Sequence, residues 1–122
     1  MDQGQEPTTN HGVKTIIYPV GDLAQAKALY STLLGVHPAF DTPYYVGFQI
    51  DGKDIGLDPN GHRGGAPGPV VYWHVDDIQA GLRSLLDAGA QPAQDVRDVG
   101  DGRLIATVAD ADGNLVGLLQ EP

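Results

Sequence analysis

The sequence contains no cysteine, and that absence removes disulfide cross-links, thiolate metal sites and a cysteine nucleophile together. Basic residues are scarce as well: seven Lys and Arg stand against 16 Asp and Glu, a formal net charge of −9. A surface of that sign repels phosphate backbones and anionic lipid, so neither nucleic acid nor a membrane surface is an expected partner, whereas a cationic ligand is tolerated. The same acidity also serves plain solubility. No apolar run approaches the ~20 residues that a membrane span requires. The opening MDQGQEPTTNHG lacks the basic-then-apolar pattern of a secretion signal. A cytoplasmic protein with a flexible tail over residues 1–12 is expected. Gly-rich phosphate loops, nucleophile elbows and HExxH patterns are all missing.

What is present is a globular composition, 41% hydrophobic and 19% charged over 122 residues, enough for one domain with a real core. The spacing predicts a strand over Val13–Val20 and then a helix in GDLAQAKALYSTLLG. Asp22 caps that helix, Leu23, Ala26, Tyr30 and Leu33 form its apolar stripe, and Gly35 ends it. YYVGFQI and KDIGLD flank Asp51-Gly52 as a hairpin. The Gly- and Pro-rich stretch 59–69 reads as a linker. Val70–Val75 is the next strand, with Asp76 or Asp77 capping a helix whose stripe is Ile78, Leu82, Leu85 and Leu86. Strands near Gln94–Val99 and Arg103–Ala109 precede DGNLVGL.

The two halves keep a common register. Val20, Asp22 and Leu23 recur 55 positions later as Val75, Asp77 and Ile78, and the phrase DGKDIGL at Asp51 recurs 61 positions later as DGNLVGL at Asp112. Each half therefore reads as strand, helix and a run of strands, with a tight turn and a strand glycine repeated at Gly56 and Gly117. A module of this kind covers only one sheet face with its helix, so two modules, about 13–58 and about 70–120, are expected to share their open faces around a cavity in a single domain over 13–122. The fold class expected is α+β, two βαβββ modules forming a curled mixed sheet.

Strand alternation selects the side chains facing that cavity. Thr15 and Ile17 face it from the first strand, and Val70, Tyr72 and His74 from its equivalent, while Val71, Trp73 and Val75 lie under the helix. A two-residue turn pairs Gln49 with Asp54 and Gly47 with Gly56, so Tyr45, Gln49, Asp54 and Gly56 point inward and Val46, Phe48, Ile55 and Leu57 form the core face. Leu115, Gly117 and Leu119 do the same in the last strand. His74 is the one histidine inside a regular element; His11, His37 and His62 carry no assigned chemistry.

YPVGDLAQAKALYSTLLGV, VYWHVDDIQAGLRSLLDAGA and DADGNLVGLLQEP resemble the vicinal oxygen chelate superfamily, which includes glyoxalases, extradiol dioxygenases and bleomycin resistance proteins. The resemblance runs from about residue 13 to 120 and implies the paired-module fold. In metal-dependent members it implies one ligand from the first and one from the last strand of each module, and those positions fall on Thr15, Gly56, Val70 and Gly117. None supplies the imidazole or carboxylate that a divalent ion requires, so no metal and no other cofactor is expected, and metal-dependent glyoxalase or dioxygenase activity is argued against. The two glycines fit either a widened apolar pocket or a close approach of neighbouring groups.

Two functions follow. In one, the chain binds a small aromatic or cationic molecule without transforming it, as bleomycin resistance proteins do, through Thr15, Ile17, Tyr45, Gln49, Asp54, Gly56, Val70, Tyr72, His74, Leu115, Gly117 and Leu119. In the other, it is a metal-independent isomerase or lyase using His74, Tyr72 and Asp54 as acid–base groups. The resemblance further implies a homodimer.

Overall fold

A computed structural model describes residues 8–63 and 65–122. The chain runs β1 (Asn10–Pro19), α1 (Leu23–Leu34), β2 (Phe40–Thr42), β3 (Tyr45–Ile50), β4 (Lys53–Asp58), β5 (Val70–Val75), α2 (Ile78–Asp87), β6 (Gln91–Asp98), β7 (Leu104–Ala109) and β8 (Leu115–Gln120). Contacts group it into two compact units, Lys14–Val71 and the described residues up to Val13 together with Tyr72–Pro122. The hydrogen-bonded strand order is β2-β3-β4-β1 in the first and β5-β8-β7-β6 in the second. The α+β duplication, strand–helix–three strands in each half, is thus realised.

In the Lys14–Val71 unit, the Asp22 carboxylate caps α1 by accepting the Gln25 N–H at 3.0 Å, and Gly35 closes it at φ 70 by donating to Ser31 O. Leu23, Ala26, Tyr30 and Leu34 pack with Tyr18 and Val20 on buried Val46, Phe48 and Leu57. Leu34, not Leu33, completes the stripe; Leu33 is 71% exposed. Helical period allows either of two adjacent leucines after Tyr30, and the strands beneath select the second. The β3–β4 hairpin has the expected register, Ile50↔Lys53 through Val46↔Leu57. Its turn residues both have positive φ, 51 at Asp51 and 80 at Gly52, the primed geometry that matches strand twist. Strand β2, too short to show a period, pairs antiparallel with β3.

In the other unit, Asp77 is the cap of α2, accepting the Ala80 N–H at 3.1 Å. Ile78, Leu82 and Leu85 pack with buried Val75, Ala106 and Leu118, while Leu86 is largely exposed. Trp73, expected beneath the helix, is 38% exposed. The reason is placement: α2 lies over β6, β7 and β8, so only Val75 at the end of β5 reaches its core. β1 begins at Asn10, three residues ahead of the expected start. Thr8 and Thr9 are held by the start of α2, accepting from Asp77 N at 2.8 Å and Asp76 N at 3.1 Å respectively. The remainder of the expected tail, residues 1–7, lies outside the described residues. Among the described residues no helix is long and apolar enough to cross a membrane.

The repeated Asp-Gly phrase does not make a repeated turn. Between β7 and β8 the organiser is Asp110, whose carboxylate accepts Asn114 Nδ2 at 3.0 Å and the backbone N–H groups of Asn114 and Asp112 at 2.9 Å each. Those donors, the Asn114 side chain foremost, hold its carboxyl below the usual value of 3.8. A carboxyl that stays ionised in the fold adds stability above the ordinary Asp range, and this is lost as pH falls through the folded value. Asp110→Ala is therefore expected to lower the melting temperature at pH 7, with the gap to wild type closing below about pH 4. A gap independent of pH, measured by thermal melts at pH 3 to 7, would refute this assignment.

Candidate functional site

Register decides which side chains share the sheet face opposite α1 in the Lys14–Val71 unit. Thr15↔Asp54 and Ile17↔Gly56 are partners between β1 and β4, Gln49↔Asp54 and Gly47↔Gly56 between β3 and β4, and Phe40↔Gly47 between β2 and β3. Directly paired residues point to the same side. Thr15, Ile17, Tyr45, Gln49, Asp54 and Gly56 are accordingly brought onto one face, as alternation expected. Thr15 is 7% exposed, and its hydroxyl donates to Asp54 Oδ2 at 3.5 Å. Gln49 is exposed, Asp54 and Tyr45 are half-buried, and Val70 is buried at the start of β5.

The glycines on this face differ sharply in their surroundings. A Cβ at Gly56 would overlap the Tyr45 hydroxyl and lie 2.7 Å from both Tyr45 Cζ and Ile17 Cδ1. At Gly47 it would meet Phe40 Cβ and Tyr45 Cε2 at 3.5 Å, an ordinary contact. Gly56 therefore does not widen a pocket. The strand lies low there so that the tyrosine ring can cross it, which decides between the two readings the sequence left open.

The second unit repeats the device with a different tyrosine donor strand. A Cβ at Gly117 on β8 would overlap Tyr72 Cδ1 and come within 2.8 Å of Tyr72 Cε1 and Cγ. Tyr72 belongs to β5, whereas Tyr45 belongs to β3. At the 55-residue offset Tyr72 matches Ile17, which also crowds its glycine, so in both halves the first strand leans across the glycine of the last. Leu119 is buried and Leu115 half-buried on β8, and Thr107, the partner of Gly117 on β7, is buried as well.

His74 is half-buried, with its ring centroid 4.8 Å from that of His11 at an interplanar angle of 41°. His11 Nε2 lies 2.7 Å from Asp76 Oδ1. Sequence reasoning set His11 aside as loop; the signal available was the alternation of β1, which continues past Val13 to Asn10. Phe40 was missed for a related reason, since β2 is only three residues long. Of the acid–base candidates, His74 and Tyr72 are alternate residues of β5, while Asp54 belongs to the other unit, where Thr15 bonds it.

A divalent ion does not fit the residues present. The four ligand positions implied by the resemblance hold a threonine already bonded to Asp54, a valine and two glycines overlaid by phenol rings. Among the described residues no group of three His, Cys, Asp or Glu is placed to hold a metal.

The glycine contacts give a direct expectation. Gly117→Ala should cost about 1–3 kcal/mol by overpacking against Tyr72, whereas Gly47→Ala should be neutral or gain up to about 1 kcal/mol. Urea denaturation compares the two, and Tyr72→Ala should relieve most of the Gly117→Ala penalty in the double variant. Equal tolerance at both glycines would show that Tyr72 does not rest on Gly117.

Residues 12–118 match the family model of the Glyoxalase/Bleomycin resistance protein/Dioxygenase superfamily. No curated protein matches the chain at a significant level. Among solved structures, a glyoxalase/bleomycin resistance protein/dioxygenase superfamily member from Vibrio splendidus 12B01 aligns at TM-score 0.69 and 19% identity, over 93% of this chain and 100% of that one. Methylmalonyl-CoA epimerase from Mycobacterium tuberculosis aligns at TM-score 0.66 and 18% identity, over 98% and 93%. The Mn(II)-bound glyoxalase from Novosphingobium aromaticivorans aligns at TM-score 0.70 and 18% identity, over 93% of this chain and 40% of that one. At such identities these likenesses establish the fold, and with the family match over nearly the whole length, the chain belongs to the glyoxalase/bleomycin resistance protein/dioxygenase superfamily.

Proposed function

We propose that this chain is a metal-independent member of its superfamily that binds and sequesters a small planar, cationic molecule, in the manner of a bleomycin resistance protein acting in the cytoplasm. The observation that carries this reading is the aromatic floor of the β2-β3-β4-β1 face. Phe40, 55% exposed, stands with its ring 6.1 Å from that of Tyr45 at 59°. Gly47 and Gly56 are paired beside them, Gly56 lying beneath the Tyr45 hydroxyl and Ile17. The exposed Phe40 ring offers a planar group a surface to stack on, and ring faces attract cations. The net charge of −9 works in the same direction.

Sequestration is favoured over turnover because the chemistry of the superfamily's metal enzymes has no donors here. Acid–base catalysis by His74, Tyr72 and Asp54 has less behind it: the ring beside His74 is that of His11, and the Asp54 carboxylate accepts from Thr15.

Calorimetric titration with planar aromatic cations and matched neutral and anionic analogues tests the proposal. Binding is expected for the cations, weaker for the neutral series and absent for the anions. Phe40→Ala should weaken it about tenfold. Preference for anions, or binding indifferent to Phe40→Ala, would overturn the reading.

A further inference from the structure

Phe40 stands on a strand that has little of its own to hold it. β2 has three residues and lies at the end of the strand order beside β3. Its ladder is Phe40↔Gly47, Asp41↔Val46 and Thr42↔Tyr45, and so short an edge strand is marginal by itself. The position of Phe40, and of the Tyr45 ring 6.1 Å from it, then depends on the turn that joins β2 to β3.

Thr42 closes that turn. Its hydroxyl accepts the N–H groups of Tyr44 at 3.1 Å and of Tyr45 at 3.0 Å, and donates to the Tyr45 carbonyl at 3.0 Å. A hydroxyl has one hydrogen to give and two lone pairs to offer, so Thr42 uses its whole capacity within this one turn. Two of the three bonds fall on the N–H and the C=O of Tyr45, the peptide groups on either side of its Cα. Fixing both fixes the direction in which Cβ leaves, and with it the path of the ring across Gly56. Asp41, by contrast, alternates with Phe40 and Thr42 and so points to the helix side. Its pair with Lys27 at 2.7 Å is well exposed on both partners, where water screens it. That pair steadies the strand without aiming either ring.

We propose that Thr42 is the positioning residue of the aromatic pair. By clamping both peptide groups of Tyr45 it aims that ring across Gly56, and by closing the β2–β3 turn it holds Phe40 beside it, with more than half of Phe40 left open to a ligand. The ligand in this inference rests on the reading of the sheet face given above; the ring geometry does not. Rings held in place before a ligand arrives lose little freedom when it binds, so affinity should follow the clamp.

NMR of the ligand-free chain reads the ring geometry directly, through cross-relaxation between the ring protons of Phe40 and Tyr45. Thr42→Val keeps the shape of the side chain and removes its hydroxyl, and the ring contacts should weaken or vanish. Thr42→Ser keeps the hydroxyl and should restore them, while Lys27→Met should leave them as in the wild type. Circular dichroism checks that every variant is folded. Titration with proflavine, a planar aromatic cation, adds the affinity. Thr42→Val should weaken it about fivefold, and Thr42→Ser should stay within about twofold of the wild type. In a Phe40→Ala background the Thr42→Val loss should shrink to within about twofold, since a residue that acts through the ring pair has little left to aim. Unchanged ring contacts in Thr42→Val overturn the proposal, and so does a loss of affinity that is the same with and without Phe40. A wild type indifferent to proflavine counts against the ligand reading alone, and the ring contacts then decide on Thr42.

Discussion

Two atoms cannot share one place, and in each unit a tyrosine ring already holds the volume that a side chain on the last strand of the module would need. Tyr45 with Ile17 over Gly56, and Tyr72 over Gly117, crowd one position on the last strand of each half so that any side chain there must displace them. Much follows from this interlock. A side chain at Gly56 or Gly117 would have to push that phenol aside, so aromatic cover and metal ligation compete at these places. The duplication preserves the device while changing its source, β3 in one unit and β5 in the other.

Charge in this chain is spent locally. Asp22 and Asp77 cap the helices, Asp110 gathers the donors of its turn, and Asp58 and Asp98 accept backbone N–H groups two residues on. Asp41, Asp76 and Glu121 face Lys27, His11 and Arg103. Such acidic groups answer to the hydrogen-bonding needs of turns and helix ends, not to a concentrated patch. Net charge then acts only as a diffuse field.

What could be read from the sequence was whatever short-range chemistry determines. The cap at Asp22 and the close of α1 at Gly35 follow from the donors and acceptors a helix end leaves unpaired, and the structure has them as read, while of the two candidates Asp76 and Asp77 it selects Asp77. Asp51-Gly52 fixed the register of its hairpin because only a primed turn suits two positive φ values in a row. From that register Tyr45, Gln49, Asp54 and Gly56 came out on one face, and alternation along the first strand added Thr15 and Ile17, which pair with Asp54 and Gly56. The family was legible too, from the three quoted segments that resemble it, and residues 12–118 match its model.

The misses all required knowledge of what lies across a gap. Leu33 and Leu34 present the same apolar chain, and only the position of Val46 and Phe48 beneath the helix chooses between them. Trp73 looks like core because of its size, yet α2 sits over β6 to β8 and leaves it at the margin. Gly56 and Gly117 left open space and close approach undecided, because a sequence shows a missing side chain but not the neighbour that fills its place. Three residues of β2 carry no period at all, so Phe40 entered the site unseen. Alternation assigns a side chain to a face; whether that face is then hollow or filled depends on the lengths and volumes of side chains from other strands. That is why the donors missing at the four ligand positions were apparent from the residues alone, while the shape left behind had to be seen.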